Sequence, residues 1–425
     1  MTIHDEMMAI GSRAVLVSRK LALFSAAKKN AILEAMAETI ESQKNSIKEA
    51  NARDLQAAKQ AGLSAAMLDR LELTEARIEA MARGLREIAA LKDPVGKIIR
   101  RWTRPNGLLI AKVRVPIGVI AIIYESRPNV TADAAGLCIK TANAVILRGG
   151  KEALLSNQAI AKAMCEGGSR KGLPSDAIQF VTTTDREAVR ELVGLEGLVD
   201  LVMPRGGEQL IRAVVENAKV PVIKHYKGVC HIYVDESADI EMALNIIENA
   251  KCQRPGVCNA VEKVLVHEKI AARFIPLMAE KLNAKGVELR GDETSRTLSG
   301  AIKPANEDDW YAEYLDLILA VKVVKSAGVA VEHINHYGSH HSDAIIAASK
   351  KARKIFTQQV DSAVVYANAS TRFTDGGEFG MGAEIGISTD KLHARGPMGL
   401  EELTTYKYVV AGNGQIRGSE MQNDQ

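Results

Sequence analysis

Residues 117–124 read IGVIAIIY, an apolar run that contains no charged side chain. Similar short, largely apolar runs follow it: AVIL at 144–147, AIQFVTT at 177–183, LVDLVM at 198–203, VPVI at 220–223 and CHIYVD at 230–235. Apolarity that is unbroken rather than alternating is typical of strands buried on both faces. Because helical segments separate the runs, the sequence predicts a parallel α/β sheet with crossover helices. Its ligand-binding edge should lie at the carboxyl ends of the strands.

The segments on either side of this sheet predict a helical region, a hairpin and a second α/β unit. Residues 1 to about 93 are rich in helix formers with apolar residues at helical spacing. KIIRRWTRPNGLLIAKVRV at 97–115 predicts a hairpin that turns at Pro105-Asn106-Gly107. A second α/β unit begins after residue 235, and TTYKYVVAG at 404–412 predicts a strand that returns to an earlier sheet. Two isolated strands are marginal in water, so the hairpin should pair with another segment.

Composition and charge exclude several classes of protein. The 425 residues are 47% hydrophobic and 25% charged, as in ordinary globular proteins, and the length predicts two or three domains. The 55 basic and 52 acidic residues are too evenly balanced to indicate a nucleic-acid or membrane-binding role. No apolar run approaches the ~18 residues of a membrane span, and the acidic start does not resemble a signal peptide. The 5 cysteines form no CxxC pair, so we expect a cytoplasmic protein without a disulfide framework.

Two strand-to-helix junctions share an Arg-Gly-Gly sequence, at Arg148-Gly149-Gly150 and at Arg205-Gly206-Gly207. Glycines let a ligand approach the backbone, a helix N-terminus offers unpaired N–H groups, and arginine adds a fork of donors. The pair therefore predicts a phosphate site, with two tight turns as the alternative. Neither G-x-G-x-x-G after a strand nor G-x-x-x-x-G-K-[ST] occurs, so a dinucleotide would bind by a variant mode.

The stretch KCQRPGVCNA at 251–260 contains two of the cysteines. A nucleophilic thiol needs access and a nearby cation or helix terminus that lowers its pKa. Cys258 follows Pro255-Gly256, which places it on a loop near Arg254, whereas Cys252 ends a predicted helix. The residues alone leave several roles open: a nucleophile, a metal or disulfide pair, or small core residues. The other cysteines lie in helix or strand patterns that favour structural roles: Cys138, Cys165 and Cys230.

The stretch HINHYGSHHSD at 333–343 combines four histidines with an aspartate, a composition that can hold a metal. Its spacing fits no H-E-x-x-H pattern, and Tyr337-Gly338-Ser339 reads equally well as a turn. We therefore predict no metal site.

Four stretches carry a resemblance to a known family. They are VPIGVIAIIYESRPNVTADAAGLCIKTANAVILRGGKEA at 115–153, QRPGVCNAVEKVLVH at 253–267, HYGSHHSDAI at 336–345 and HARGPMGLEELTTYKY at 393–408. Together they resemble the branch of the aldehyde dehydrogenase superfamily that reduces γ-glutamyl phosphate. The similarity extends from the N-terminal helices to about residue 412.

This resemblance implies an α/β fold with two Rossmann-like parallel-sheet domains and a small β arm for oligomerisation. The implied domains are an NADPH-binding domain at 1–225 with part of 365–425, a catalytic domain at 226–364, and an arm at 98–115 and 403–412. The implied reaction is the NADPH-dependent reduction of L-glutamyl 5-phosphate to L-glutamate 5-semialdehyde and phosphate. That reaction is the second step of proline biosynthesis from glutamate. The implied partners are a second copy of the chain, in a dimer or tetramer, and glutamate 5-kinase as a separate supplier of the acyl phosphate.

The resemblance also implies catalytic roles. Cys258 would be the nucleophile that forms a thioester, and its own N–H together with Asn129 would stabilise the oxyanion. Lys224 and His225 occupy the region where hydrolytic relatives carry a glutamate base, so the thioester is left to phosphate rather than to water. Lys224, His225 and Arg254 are the expected substrate contacts.

The implied cofactor site lies at the ends of the first-sheet strands. Lys151 stands where relatives carry a ribose-binding glutamate, and a cation there favours the 2′-phosphate of NADPH. The expected cofactor residues are Glu125, Ser126, Arg127, Arg148, Gly149, Gly150, Lys151, Arg205, Gly206 and Gly207.

Two alternatives stay open at this point. One is an acylating or phosphorylating aldehyde dehydrogenase for another substrate, which turnover of glutamyl phosphate would distinguish. The other is a phosphate-ligand-binding or scaffold protein without catalysis, which an unreactive thiol at Cys258 would indicate.

Overall fold

The computed structural model describes residues 2–417, and its N-terminal region is helical. The helices are α1 (Ile3–Leu21), α2 (Ala26–Ser42), α3 (Lys44–Gln60), α4 (Ala65–Leu71) and α5 (Glu75–Ala90). Four of them begin after a Ser or Thr whose side-chain oxygen accepts a backbone hydrogen bond: Thr2, Ser25, Ser64 and Thr74. These N-caps satisfy donors that a helix leaves unpaired, which explains where the helices start.

Three antiparallel strands form a small separate sheet. They are β1 (Ile98–Thr103), β2 (Leu109–Pro116) and β16 (Thr404–Ala411), with β2 in the middle. The register places Thr404 opposite Pro116. The predicted hairpin and returning C-terminal strand are therefore confirmed. Seven of the eight residues of β16 are exposed, among them Tyr408 and Val410, so apolar side chains remain on this surface.

The first parallel sheet follows the hairpin. Its elements are β3 (Val119–Tyr124), α6 (Asn129–Lys140), β4 (Ala144–Arg148), α7 (Leu154–Ser169), β5 (Ile178–Phe180), α8 (Glu187–Val193), β6 (Leu201–Arg205) and α9 (Glu208–Asn217). The strand order is β5-β4-β3-β6, all parallel. Every residue of β3 is buried, as expected for an apolar run covered on both faces.

The order of these strands creates a switch point between β3 and β6. From β3 the chain moves outward through β4 to β5, and then crosses to the other side of β3 to form β6. Ligands of parallel sheets bind at such points, at the carboxyl ends of the strands. The predicted strand at 220–223 is wrong: Val222 makes only an isolated bridge to Val202, because Pro221 has no N–H to donate to a ladder.

The second parallel sheet has seven strands. Its elements are β7 (Cys230–Val234), α10 (Ile240–Cys252), β8 (Val261–His267), α11 (Glu268–Asn283), β9 (Glu288–Gly291), α12 (Glu293–Leu298), β10 (Lys303–Pro304), α13 (Glu307–Tyr311), β11 (Ile318–Val324), α14 (Ala327–Tyr337), β12 (Ser342–Ile346), α15 (Lys350–Gln359) and β13 (Val364–Ala367). The order is β10-β9-β11-β8-β7-β12-β13. A short antiparallel pair, β14 (Ile387–Ser388) and β15 (Gly396–Pro397), follows.

Apolar clusters cover both faces of the seven-stranded sheet. Ile232 and Val234 of β7 join one cluster with Phe274 of α11, whereas Tyr233 between them joins another with Phe356 of α15. Successive strand residues point to opposite faces, so the two clusters lie on opposite sides of the sheet. The expected α/β fold with two parallel-sheet units and a small β arm is confirmed.

The described chain divides into two compact units. The first comprises residues 2–206, Val214–Val222 and 399–417, and the second comprises Gly207–Ala213 and Ile223–Met398. Of the expected segment 365–425, residues 365–398 thus belong to the second unit, because β13 is part of its sheet and Thr389 donates to the Lys224 carbonyl oxygen. Residues 418–425 lie outside the described part. None of the described helices combines the length and apolarity needed to cross a bilayer.

Candidate active site

Cys258 lies half-buried on the loop that joins α10 to β8. The backbone at Gly228, just before β7, passes directly against this loop. A Cβ on residue 228 would lie 2.0 Å from the Cys258 carbonyl oxygen and 2.5 Å from its Cα. Only a residue without a side chain permits such an approach, so Gly228 helps to determine where the cysteine sits.

The residue after the cysteine anchors the loop. The Asn259 side-chain amide donates to the Thr374 carbonyl oxygen at 2.9 Å, and the Thr371 hydroxyl donates to the Asn259 carbonyl oxygen at 2.7 Å. Arg372 donates through Nη1 to Asn259 Oδ1 and through Nε to Gln253 Oε1 at 2.9 Å. The Arg372 guanidinium is therefore held by residues on both sides of Cys258. Burial, followed by the positive charge of Arg254, lowers the pKa of Arg372.

Two histidines approach the thiol. One ring nitrogen each of His225 and His341, and the Cys258 sulfur, all lie within 4.8 Å of one another. His225 Nδ1 is 2.9 Å from the Ile387 carbonyl oxygen, so this nitrogen donates and the proton-free nitrogen is Nε2. His341 is fully buried, and burial lowers its pKa to about 3, so its imidazole is neutral near neutral pH.

The other thiols lie in environments that suppress thiolate formation. Cys230 is fully buried and donates to the Cys258 carbonyl oxygen at 3.2 Å, and burial raises its pKa well above the usual range. Burial raises the pKa of Cys165 to about 11 and also raises that of Cys138 and Cys252. A raised pKa leaves these cysteines as neutral thiols, which are poor nucleophiles.

The four histidines of the stretch at 333–343 lie in different surroundings. His333 is buried in α14, and burial lowers its pKa to about 2. His336 is exposed and 3.0 Å from the Tyr311 hydroxyl, and His340 Nδ1 is 2.6 Å from the Asp361 carbonyl oxygen. Only His341 among them joins the group around Cys258.

The residues expected to contact substrate differ in their surroundings. Lys224 forms an ion pair with Asp390, with Nζ 2.8 Å from Oδ1, and its backbone N–H donates to the other carboxylate oxygen. This ion pair holds Lys224 against the segment that joins β14 to β15. Arg254 is exposed, so its guanidinium is accessible to an anion.

The expected cofactor residues gather at the carboxyl edge of the first sheet. The register pairs Ile123 with Arg148 and Tyr124 with Arg205, so β3, β4 and β6 end side by side. The Glu125 N–H donates to the Arg205 carbonyl oxygen at 3.1 Å. Gly206 belongs to the first unit and Gly207 to the second.

Close packing explains the first Arg-Gly-Gly junction. A Cβ on Gly149 would lie 2.1 Å from the Asn157 side-chain nitrogen, so glycine is needed there for helix packing whether or not a ligand binds. Arg148 donates to the carbonyl oxygens of Gly149 and Thr184. Lys151, which follows, is exposed and accessible to a phosphate.

Two further side chains order this edge. The Ser126 N–H and hydroxyl both donate to Glu152 Oε1, at 2.7 and 2.6 Å, and so join the loop after β3 to the loop after β4. Exposed Asn129 begins α6, and its side-chain amide donates to Asp133 Oδ2 at 3.0 Å. Burial raises the pKa of Asp133 to about 6, whereas the Asn129 hydrogen bond lowers it.

Sequence reasoning missed three contributors: His341, Arg372 and Glu152. His341 lay within a quoted motif, but nothing in its spacing distinguished it from His340. Arg372 and Glu152 act through contacts with residues distant in the chain or on another loop, which local patterns do not report.

Three comparisons with known proteins agree with one another. The model of the aldehyde dehydrogenase family matches residues 5–321. A curated protein called gamma-glutamyl phosphate reductase from Caldanaerobacter subterraneus subsp. tengcongensis is 57% identical, over 94% of this chain and 97% of its own length. Another of the same name, from Moorella thermoacetica, is also 57% identical, over 98% of this chain and 100% of its own length. The crystal structure of gamma-glutamyl phosphate reductase from Thermotoga maritima has a TM-score of 0.96 and 48% identity, covering 97% of this chain and 100% of that one.

Proposed function

The chain belongs to the aldehyde dehydrogenase family and, within it, to the gamma-glutamyl phosphate reductases, and on this basis we propose how its residues perform the reaction. It is an oxidoreductase of proline biosynthesis that reduces L-glutamyl 5-phosphate to L-glutamate 5-semialdehyde, with glutamate-5-semialdehyde dehydrogenase as the reverse activity. One observation carries the proposed mechanism: the half-buried Cys258 thiol has a nitrogen of each of two imidazoles within 4.8 Å.

Proton removal from Cys258 is the first proposed step. His225 is the proposed acceptor, because its Nδ1 donates to the Ile387 carbonyl oxygen and its Nε2 keeps a lone pair. The positive charges of Arg254 and Arg372 favour the thiolate that forms. His341, neutral and buried, completes the wall of the site without competing for the proton.

Acyl transfer follows. The Cys258 thiolate attacks the acyl carbon of glutamyl phosphate, the carbon–oxygen bond to phosphate breaks, and a thioester forms at sulfur. The Cys258 N–H and the Asn129 amide are the proposed donors to the oxyanion. After hydride addition to the thioester carbon, the carbon–sulfur bond breaks, the semialdehyde leaves, and His225 returns the proton to sulfur.

The cofactor is a nicotinamide dinucleotide, and we propose NADPH, which supplies the hydride when bound. The switch point of the first sheet fits such a ligand, because the Arg148 and Arg205 junctions end beside β3 there. Exposed Lys151 is the proposed partner of the 2′-phosphate. Glu125, Ser126 and Arg127 lie on the loop after β3 at the same edge and complete the proposed cofactor residues with both glycine pairs.

The substrate carries negative charge on its phosphate and on its α-carboxylate, so it needs cationic partners. Arg254 is exposed on the cysteine loop, and Arg372 is fixed against that loop by its hydrogen bonds to Gln253 and Asn259. We assign these guanidiniums to the substrate anions. Lys224 remains a proposed contact that acts from its ion pair with Asp390.

Assembly, substrate supply and location are also part of the proposal. A homo-oligomer, dimer or tetramer, is supported by the exposed apolar residues of β16. Glutamate 5-kinase is the proposed separate source of the acyl phosphate. A cytoplasmic location is supported by the five cysteines, none of which forms a disulfide bond in the described part of the chain.

Turnover and alkylation together test the mechanism. NADPH oxidation with glutamyl phosphate, or NADP reduction with semialdehyde and phosphate, should be lost in Cys258→Ser and retained in the matched control Cys252→Ser. Mass spectrometry after brief iodoacetamide treatment should find Cys258 modified, and substrate should protect it. Full activity in Cys258→Ser would overturn the thioester mechanism, whereas no turnover by the unmodified enzyme would overturn the substrate assignment.

A further inference from the structure

The group around Cys258 combines the donor atoms that zinc prefers. One thiol sulfur and one nitrogen from each of His225 and His341 lie within 4.8 Å of one another. Protein zinc sites use cysteine sulfur and histidine nitrogen, and three such ligands with one open position are sufficient for binding. Zn–S and Zn–N bonds of roughly 2.3 and 2.0 Å place tetrahedral ligands about 3.5 Å apart, so the ligand atoms of this group would approach one another by at most about 1.3 Å on binding an ion.

Both imidazoles have an oxygen atom within hydrogen-bond distance of Nδ1. Metal-ligating histidines donate one ring N–H to a neighbouring oxygen and direct the other nitrogen at the metal. His225 Nδ1 is 2.9 Å from the Ile387 carbonyl oxygen, and His341 Nδ1 is 2.8 Å from the Ser342 hydroxyl oxygen. A carbonyl oxygen only accepts, so neutral His225 carries its proton on Nδ1 and can offer a metal the lone pair of Nε2. In His341 the candidate ligand atom is Nε2, which has no hydrogen-bond partner among the described residues.

The buried histidine supplies an independent indication. His341 has no exposed surface, and among the described residues its Nε2 has no hydrogen-bond partner. A buried polar atom without a partner calls for an explanation, such as an ion or another ligand. The centroid of its ring lies 5.7 Å from that of the His225 ring, and one of its nitrogens belongs to the group with the Cys258 sulfur.

We propose that Cys258, His225 and His341 form an inhibitory binding site for Zn²⁺. Binding would form a zinc–sulfur bond and release the thiol proton to solvent, so that the sulfur could no longer attack an acyl phosphate. Mg²⁺ and Ca²⁺, which prefer oxygen ligands, would not compete. Arg254 and Arg372 oppose a dication near the thiol, so occupancy should respond to the free zinc concentration rather than be permanent.

Cobalt binding tests the site without relying on catalysis. The full-length protein, reduced and freed of metal by a chelator, is titrated with Co²⁺, whose thiolate complexes absorb in the near ultraviolet and whose tetrahedral complexes absorb in the visible. We expect one Co²⁺ per chain, both absorptions, and displacement by Zn²⁺ but not by Mg²⁺. Zn²⁺ should also slow alkylation of Cys258, and a chelator should restore it.

Variants separate this site from other thiols and histidines. Cys258→Ser should abolish the near-ultraviolet band, and His225→Asn or His341→Gln should weaken Co²⁺ binding at least tenfold, whereas the control variants Cys252→Ser and His336→Gln should bind as the parent does. If the variant at the buried His341 fails to fold, Co²⁺ binding by His225→Asn alone tests whether histidine contributes to the site. A missing thiolate band, or unchanged binding in both Cys258→Ser and His225→Asn, would overturn the proposal, even in a fully active enzyme. A protein that shows the near-ultraviolet band but has no turnover would support the zinc site and refute only the proposed reaction.

Discussion

Adding one methyl group at Gly228 should displace the cysteine loop. A Cβ there would lie 2.0, 2.5 and 2.6 Å from the Cys258 carbonyl oxygen, Cα and carbonyl carbon, all of them backbone atoms that no rotamer change can move away. Side-chain carbons essentially never approach other atoms within 3.0 Å, so Gly228→Ala must open this contact by about 1 Å. We expect overpacking to cost about 1–3 kcal/mol of stability.

The catalytic effect should exceed what this stability loss explains. A displacement of about 1 Å at a reacting group can lower a rate ~100-fold, equivalent to ~2.7 kcal/mol of activation free energy. The assay is kcat in the NADP-reducing direction with semialdehyde and phosphate, at a temperature where circular dichroism shows the variant folded. Iodoacetamide labelling of Cys258 should change in parallel, because the thiol moves away from its position near the two imidazoles.

Gly256→Ala is the matched control within the same loop. A Cβ on Gly256 meets nothing closer than the Leu315 carbonyl oxygen at 3.7 Å, an ordinary van der Waals contact. This variant should therefore keep its kcat within about threefold of the parent, since surface substitutions away from special contacts usually have small effects. Equal losses in both variants, or a folded Gly228→Ala enzyme with full activity, would refute the reasoning from backbone contact.

Three further predictions concern other parts of the molecule. Lys151→Glu should raise the KM for NADPH at least tenfold and leave the KM for NADH nearly unchanged. Steady-state kinetics with both cofactors test this, and equal effects on the two KM values would show that Lys151 does not bind the 2′-phosphate. The free energy of unfolding should fall as pH drops below about 6.5, because His333 gains a proton in the unfolded chain, whereas the folded residue, with a pKa of about 2, does not. In denaturant titrations, His333→Gln should reduce the slope of the unfolding free energy against pH by ~1.4 kcal/mol per pH unit. An unchanged slope would contradict this. Val410→Glu should shift the enzyme toward monomers in analytical ultracentrifugation, because Val410 is 54% exposed on β16; an unchanged distribution would place the interface elsewhere.

The sheets were predictable because their signal is local. The unbroken apolar run at 117–124 contains a fully buried strand, Val119–Tyr124, and the region rich in helix formers before residue 93 is helical. The turn at Pro105-Asn106-Gly107 correctly predicted a hairpin. The strand expected at 220–223 failed because Pro221 interrupts the backbone pairing that its apolar neighbours favour.

The site was less predictable because its parts come from distant segments. Cys258 stood out through its loop sequence, but the support of that loop by Gly228 and Arg372 follows from contacts across the second unit. At the cofactor edge, the Arg-Gly-Gly junctions were visible in the sequence, whereas the contact of Glu152 with Ser126 depends on two neighbouring strand ends.

The sequence by itself determined the parallel α/β architecture and the two glycine junctions, because periodicity, turn residues and motif spacing are properties of short segments. It also placed Cys258 on a loop, and the resemblance to a known family then made this cysteine the candidate nucleophile. The tertiary structure alone decided that a nitrogen of His225 and one of His341 lie near this thiol, and that the other cysteines are in surroundings that keep them protonated. Proximity between residues far apart in the chain, and the loss of water around a buried group, arise only when the elements pack. The reactivity of the cysteine depends on both.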